Sequence, residues 1–328
     1  MATAPLDVVG IGNAIVDVIA HADDGFLAAS SMIKGGMALI DEARAEAIYA
    51  AMGPGIEMSG GSAGNTIAGI ASLGGRAAFI GKVRDDVLGK VFQHDITSAG
   101  VEFPTPAATD GPATARCMIL VTPDAQRTMN TFLGACVNLG PDDIDAALIA
   151  RAQVTYLEGY LYDPPLAQEA FRKAAGIAHA AGRKVSLSLS DSFCVQRHRT
   201  AFLELVDHHV DIVFANEAEI TALFETTDFD KAIRRLGGLC NLAAVTRGAA
   251  GSVIVAGSEI IAVPAAPVSR IVDTTGAGDL YAAGFLYGLT QGKSLAECGR
   301  LASLAAAEII SHYGARPETP LSDYVRAA

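Results

Sequence analysis

The run Asp273-Thr274-Thr275-Gly276-Ala277-Gly278-Asp279 carries the strongest chemical content of the chain, and it opens directly into the apolar stretch Leu280–Leu289. Small residues ahead of a helix let backbone N–H groups approach an anion, and the helix dipole adds positive potential there. Asp279 stands where that anion would arrive. A carboxylate at a helix start is also a common N-cap, but a cap does not need Gly-Ala-Gly, which clears side chains from the amides. A base beside an anion hole is what phosphoryl transfer to a hydroxyl requires. Asp279 is therefore the candidate base, and Gly276, Ala277 and Gly278 the candidate anion hole.

A second glycine-rich turn, Gly60-Gly61-Ser62-Ala63-Gly64-Asn65-Thr66, also opens a helical stretch. Its glycines permit close ligand approach, and Asn65 offers a donor and an acceptor to a hydroxyl. An ordinary loop with Ser or Asn as N-cap is the plain alternative. Asp17, in Gly12-Asn13-Ala14-Ile15-Val16-Asp17, fits a turn residue and fits equally a carboxylate accepting two vicinal sugar hydroxyls. Asn216 and Glu219 follow a strand-like run and stand three apart on one helical face, so both can point at one site.

Two motifs are decoys. Gly10-Ile11-Gly12-Asn13-Ala14-Ile15 imitates a dinucleotide fingerprint, but Ile15 occupies the third glycine position and no clean second strand ends in an acid about 20 residues on. Gly288–Ser294 resembles a P-loop, yet it is one spacer short and follows a helix, whereas a P-loop follows a strand.

The elements that must position these residues alternate. Strand-like runs are Asp7–Gly12, Ala77–Val83, Val154–Glu158, Val185–Leu189, Ile212–Ala215, Leu242–Thr246 and Ser252–Ala256. Helix-like stretches are Asn65–Leu73, Val87–Ala99, Pro165–Ala181, Ala218–Phe224, Lys231–Leu236, Leu280–Leu289 and Leu295–Ser311. Such alternation predicts an α/β fold with a mostly parallel sheet covered on both faces. One region breaks the pattern: Thr114–Val121, a turn at 122–126 and Arg127–Leu133 predict a hairpin without a helix. Ile15–Ile40 also lacks helical periodicity. These two pieces, about 14–40 and 104–135, are expected to form a small β lobe on a single unit spanning 1–328.

The 328 residues are 51% apolar and 18% charged, which excludes global disorder. With 24 basic against 36 acidic residues the net charge is −12, a field that repels nucleic acid. A small anion is still accessible through local amides. Five scattered cysteines without a C-x-x-C suggest neither a disulfide framework nor a zinc knuckle. No apolar run approaches a bilayer span, and no Lys or Arg precedes Lys34. A cytoplasmic protein without membrane partners is expected.

The early Gly-Gly-x-x-x-Asn turn and the late Asp-Thr-x-Gly-Ala-Gly-Asp motif resemble the two signatures of the PfkB/ribokinase-type carbohydrate and nucleoside kinases. The resemblance covers essentially the whole chain. Gly12-Asn13-x-x-x-Asp17, Gly60-Gly61-Ser62 before Asn65, and Glu158-Gly159-Tyr160-Leu161 look most like the adenosine-kinase branch. The resemblance implies a ribokinase-like three-layer α/β/α core, a β-sheet lid and a site between them. It implies ATP and Mg²⁺, with Asp279 as base for the 5′-hydroxyl of adenosine, giving AMP. Asn216 and Glu219 match the Asn-x-x-Glu motif linked to phosphates and to Mg²⁺ through water. Thr246, Gly248 and Gly251 match the turn lining ATP. Asp17, Gly61 and Asn65, with Asn13 nearby, match ribose-hydroxyl ligands. Arg127 matches an arginine extended toward the phosphates. Many sugar-only relatives hold a monovalent cation, potassium, near residues matching Asp273, Thr275 and Gly314.

One departure bears on the substrate. Where that branch carries an apolar or Pro-containing stretch before a base-packing aromatic, this chain reads Ser190-Asp191-Ser192-Phe193. Phe193 and Leu161 are the candidates to cover a nucleobase, with Leu133 from the lid, and Trp is absent. A kinase of a free sugar such as ribose or fructose, and a non-catalytic ligand sensor, are the competing functions. The lid hairpin suits a monomer's cover or a homodimer's clasp.

Overall fold

The computed structural model describes residues 5–124 and 126–327. Ala125, inside the turn expected at 122–126, lies outside the described residues. The larger of two sheets has eight strands. In spatial order they are Glu259–Val263, Ser252–Ala256, Leu242–Thr246, Ile212–Asn216, Lys184–Ser188, Ala152–Glu158, Leu6–Ile11 and Ala77–Ile80. Six of them pair in parallel, and Ser252–Ala256 runs antiparallel to both of its neighbours, Leu242–Thr246 and Glu259–Val263. The strands read as continuous apolar runs because both faces are covered.

Two separate cores lie on those faces. One joins the helices Ala146–Arg151, Pro165–Ala180, Ser192–His208, Glu217–Leu223 and Phe229–Gly237 to the sheet. The other joins Ser62–Ser72, Val87–Ser98, Ala277–Thr290 and Leu295–Ile309. The result is the expected three-layer α/β/α arrangement. No helix among the described residues is long and apolar enough to cross a membrane.

The smaller sheet has the order Met37–Leu39, Arg127–Phe132, Ala115–Val121, Ile15–His21, Gly55–Gly60. The last of these strands lies beyond both segments expected to build it. Strand alternation sends Met118 and Phe132 onto the helix Glu42–Ala51, where Ala45 and Ile48 bury them. Asp17, Cys117, Ile119 and Met129 face the opposite way, toward the larger sheet.

Candidate active site

The cleft between the smaller sheet and the ends of the parallel strands encloses about 1030 Å³. It sits where open α/β sheets place ligands, beyond the carboxyl ends of the strands. Asn13, Glu158, Ser188, Asn216 and Thr246 each reach it from just past or at a strand end.

Asp279 does not cap its helix. The N-cap of Ala277–Thr290 is Gly276, at φ 78°, and Asp279 is the third helical residue. Its Oδ1 accepts from the Ser62 hydroxyl at 2.6 Å and its Oδ2 from the Asn65 carboxamide at 3.0 Å. Burial pushes its carboxyl up to about 6, against the pull of those two hydrogen bonds and of the Arg316 charge. Beside it the helix start is bare. A Cβ on Gly278 would meet nothing within 4 Å, so no side chain crowds the backbone there, whereas one on Gly276 would meet Ala315 at 2.9 Å.

The first glycine turn is built by close approach. A Cβ on Gly60 would lie 2.3 Å from an Asp17 carboxylate oxygen, and one on Gly61, at φ 83°, would lie 2.2 Å from the Asn13 carbonyl. No larger residue fits at Gly61, and at Gly60 one would displace the Asp17 carboxylate. Asp17 enters the cleft from the strand Ile15–His21, and burial raises its carboxyl to about 6 against the Arg316 and Arg127 charges.

Glu158 fastens the turn to Asn13. It accepts from the Asn13 carboxamide at 2.6 Å, the Asn13 N–H at 3.3 Å and the Ala63 N–H at 2.8 Å. Burial raises it to about 7. A lone acid ending an apolar strand was the available signal for this residue. Ser62 stood inside the quoted glycine run, but its partner is 217 positions away.

Asn216 and Glu219 form a capping box. The Asn216 side chain accepts from the Glu219 N–H at 2.9 Å, and Glu219 accepts from the Asn216 N–H at 2.9 Å. Their spacing therefore has a structural cause, while both still line the cleft. Burial raises Glu219 to about 7. Asp191 is likewise an N-cap, accepting from the Cys194 N–H at 2.6 Å. That accounts for the polar residue before Phe193, which stands 70% exposed at the cleft.

Several expected residues lie elsewhere. Leu161 is a correction: it is 1% exposed and packs in the core on the far side of the sheet. The 3₁₀ turn Gly159–Tyr162 brings Tyr160 to the cleft instead. Thr246 lines the cleft, but Gly248 and Gly251 form the tight turn beyond it; a Cβ on Gly251 would strike the Val263 carbonyl at 2.1 Å. Arg127, on the lid, is paired with Asp273 and donates to the Thr275 hydroxyl at 3.0 Å. Asp273 also accepts from the Gly314 N–H at 3.1 Å, and from the Thr275 N–H and hydroxyl at 3.0 and 2.8 Å. Both Asp273 oxygens and its charge are thus taken by protein donors, and in this arrangement Asp273, Thr275 and Gly314 do not fit a potassium ion.

A carboxylate beside a helix start, in a cleft under a smaller sheet, suits phosphoryl transfer to a small molecule. Comparison with known proteins agrees. The family model for pfkB family carbohydrate kinases matches residues 56–321. A solved structure of an adenosine kinase from Sinorhizobium meliloti is 56% identical, covers 99% of both chains and superposes with a TM-score of 0.92. One of a probable sugar kinase protein from Rhizobium etli CFN 42 is 52% identical, with the same coverage and TM-score. The adenosine kinase of Saccharomyces cerevisiae is 27% identical over 315 residues, 89% of this chain and 91% of that protein. The chain belongs to the PfkB family and is an ATP-dependent nucleoside or sugar kinase.

Proposed function

We propose that the protein transfers the γ-phosphoryl group of ATP to the 5′-hydroxyl of adenosine, forming AMP and ADP. The observation that carries this reading is the opposition, within one cleft, of hydroxyl-reading groups around Asp279 and an apolar lid face formed by Ile119, Met129 and Leu133. A ribose suits the first and a flat base the second. The likeness to the Sinorhizobium meliloti adenosine kinase supports it.

In this reading Asp17 and Asn13 hold the ribose hydroxyls over the Gly61 amide, with Asn65 beside them. Asp279 takes the proton of the 5′-hydroxyl as its oxygen attacks phosphorus. The amides of Gly276, Ala277 and Gly278 receive the charge developing on the transferred phosphoryl group. Arg127 leaves Asp273 to reach the phosphates, and Thr246, with the turn at Gly248 and Gly251, borders the nucleotide. Mg²⁺ neutralises phosphate charge and commonly keeps several waters while using one or two carboxylates. Glu219 and Asn216 line one wall, and because both Glu219 oxygens already accept from Asn216, they would hold such an ion through its waters rather than by direct ligation. Phe193 and Tyr160 stand at the base end of the cleft.

A free-sugar substrate is the second reading, favoured by the probable sugar kinase of Rhizobium etli. An ADP-release assay across nucleosides and free sugars separates the two. Turnover with adenosine and none with any sugar supports the proposal; turnover with sugars alone refutes it.

A further inference from the structure

Three consecutive residues after the helix Leu295–Ile309 tie the two glycine motifs together. Gly314 donates its N–H to Asp273, ahead of the anion hole. Ala315 packs against Gly276, where an added Cβ would meet it at 2.9 Å. Arg316 then reaches the other motif. Its Nε and Nη2 donate to the Ser59 carbonyl at 3.0 and 2.9 Å, and Nη2 also to the Ser59 hydroxyl at 2.8 Å. Nη1 donates to the Gly64 carbonyl at 2.7 Å. One guanidinium therefore clasps the Gly60-Gly61 turn on both flanks, 257 positions from Ser59.

All four of these hydrogen bonds end on neutral oxygens, so the positive charge of Arg316 is not consumed by a contact ion pair. Three carboxylates face it instead: Asp95 from the helix Val87–Ser98, Asp17 from the lid and Asp279 from the helix Ala277–Thr290. Asp95 is itself occupied by the Ser59 N–H and hydroxyl, at 2.8 and 2.5 Å. Asp279 is faced by Ser62 and Asn65 from one helix, by Asp17 from the lid, and by Tyr156, Glu158 and Tyr160 from the strand Ala152–Glu158 and its following turn. Arg127 also faces Asp17 from the smaller sheet, while Arg316 is the cation that faces both Asp17 and Asp279.

We infer that Arg316 is a positioning residue for phosphoryl transfer: it fixes the turn that carries Gly61, Ser62 and Asn65, and its charge balances the carboxylates of Asp17 and Asp279. The inference rests on Asp279 acting as the base and Asp17 as the sugar ligand. A long-range arginine suits both tasks, because its planar fork holds several acceptors in one geometry while keeping a permanent charge. Without that charge two acids in one cleft repel each other, and the proton-accepting form is harder to reach.

The test is the pH profile of kcat/KM for adenosine in wild type, R316Q and R316K. In wild type the acid limb belongs to the coupled pair Asp17 and Asp279. R316Q is expected to move that limb to higher pH by about half a unit or more, the size of a modest charge–charge interaction. Its KM should rise more than its kcat falls at high pH, because Asp17 binds while Asp279 reacts. R316K keeps a charge but loses the fork, and a smaller shift in the same direction is expected. If R316Q fails to fold, R316K alone carries the test. A limb unmoved in the folded variants, with only a lower Tm, would overturn the inference and leave Arg316 a clamp. A wild-type profile with no acid limb would overturn the role of Asp279 itself, and this inference with it.

Discussion

Ser62 donates a hydrogen bond to Oδ1 of Asp279 at 2.6 Å across 217 positions of sequence, and so joins the two glycine motifs at the candidate base. Asn65 holds the other oxygen. The carboxylate is aimed across the cleft rather than at its own helix, which separates it from an ordinary cap. A substrate hydroxyl entering here meets an acceptor already fixed in direction.

Asp279→Asn keeps the size of the side chain but cannot take the hydroxyl proton. Loss of a general base costs about 10²–10⁴ in rate, so kcat should fall by that order while ATP affinity, read by calorimetry, stays near wild type. A near-normal kcat would remove Asp279 from the chemistry.

The raised carboxyls also fix a stability profile. Burial holds Asp17 and Asp279 near 6 and Glu158 and Glu219 near 7. A carboxyl raised in the folded state is easier to protonate there than in the unfolded chain. The stability this gives is full below the unfolded value and is lost as pH rises through 6 to 7. The ligand-free protein should therefore show a Tm that declines from about pH 4 to about pH 7 and then levels off, with part of the decline gone in Asp279→Asn. A Tm that climbs through this window would contradict the assignment.

Those same groups show what was legible in the sequence. The two glycine motifs announced themselves because amide nests and close backbone approach need runs of small residues, which stand out locally. Asn65 and Asp279 stand inside them as candidates, and Asp17 is singled out separately, in Gly12–Asp17. Arg316 carries no local signature and Glu158 only that of a lone acid ending an apolar strand, since each acts on partners far along the chain. The sheet's parallel strands were visible as apolar runs. Gly55–Gly60 was not, because an edge strand that begins and ends in glycine, with Ile56 exposed, lacks alternation. Leu161 was expected at the cleft and Tyr160 reaches it instead, because the 3₁₀ turn after the strand sets which of the two faces it, and nothing in the local spacing shows that turn.

In the proposed reading Arg127 exchanges its Asp273 partner for the phosphates. Released from Asp273, its guanidinium can serve the phosphates as a charge-assisted donor. Arg127→Met should slow transfer by about tenfold or more, the effect of losing a charged contact to the transferring group, while adenosine affinity measured without ATP stays unchanged. Weakened adenosine binding with normal turnover at saturation would put Arg127 on the acceptor side instead.

Phe193 and Leu161 predict opposite phenotypes. Leu161→Ala removes a fully buried side chain and should cost about 2–5 kcal/mol of stability, with the ratio of adenosine to ribose turnover intact. Phe193→Ala should leave Tm nearly unchanged, because the ring is largely exposed, and should lower that ratio. Steady-state kinetics beside thermal melts reads both; a reversed pattern would move the base to another wall of the cleft.

The most direct measurement is kcat/KM for adenosine against ribose and fructose under saturating ATP, with the product identified. The account predicts a 5′-monophosphate from adenosine and a preference of at least about tenfold over either sugar, the roughly 1.4 kcal/mol of a modest stacking contact. Ribose or fructose outpacing every nucleoside would contradict adenosine as the substrate, while leaving the chain an ATP-dependent kinase of the PfkB family.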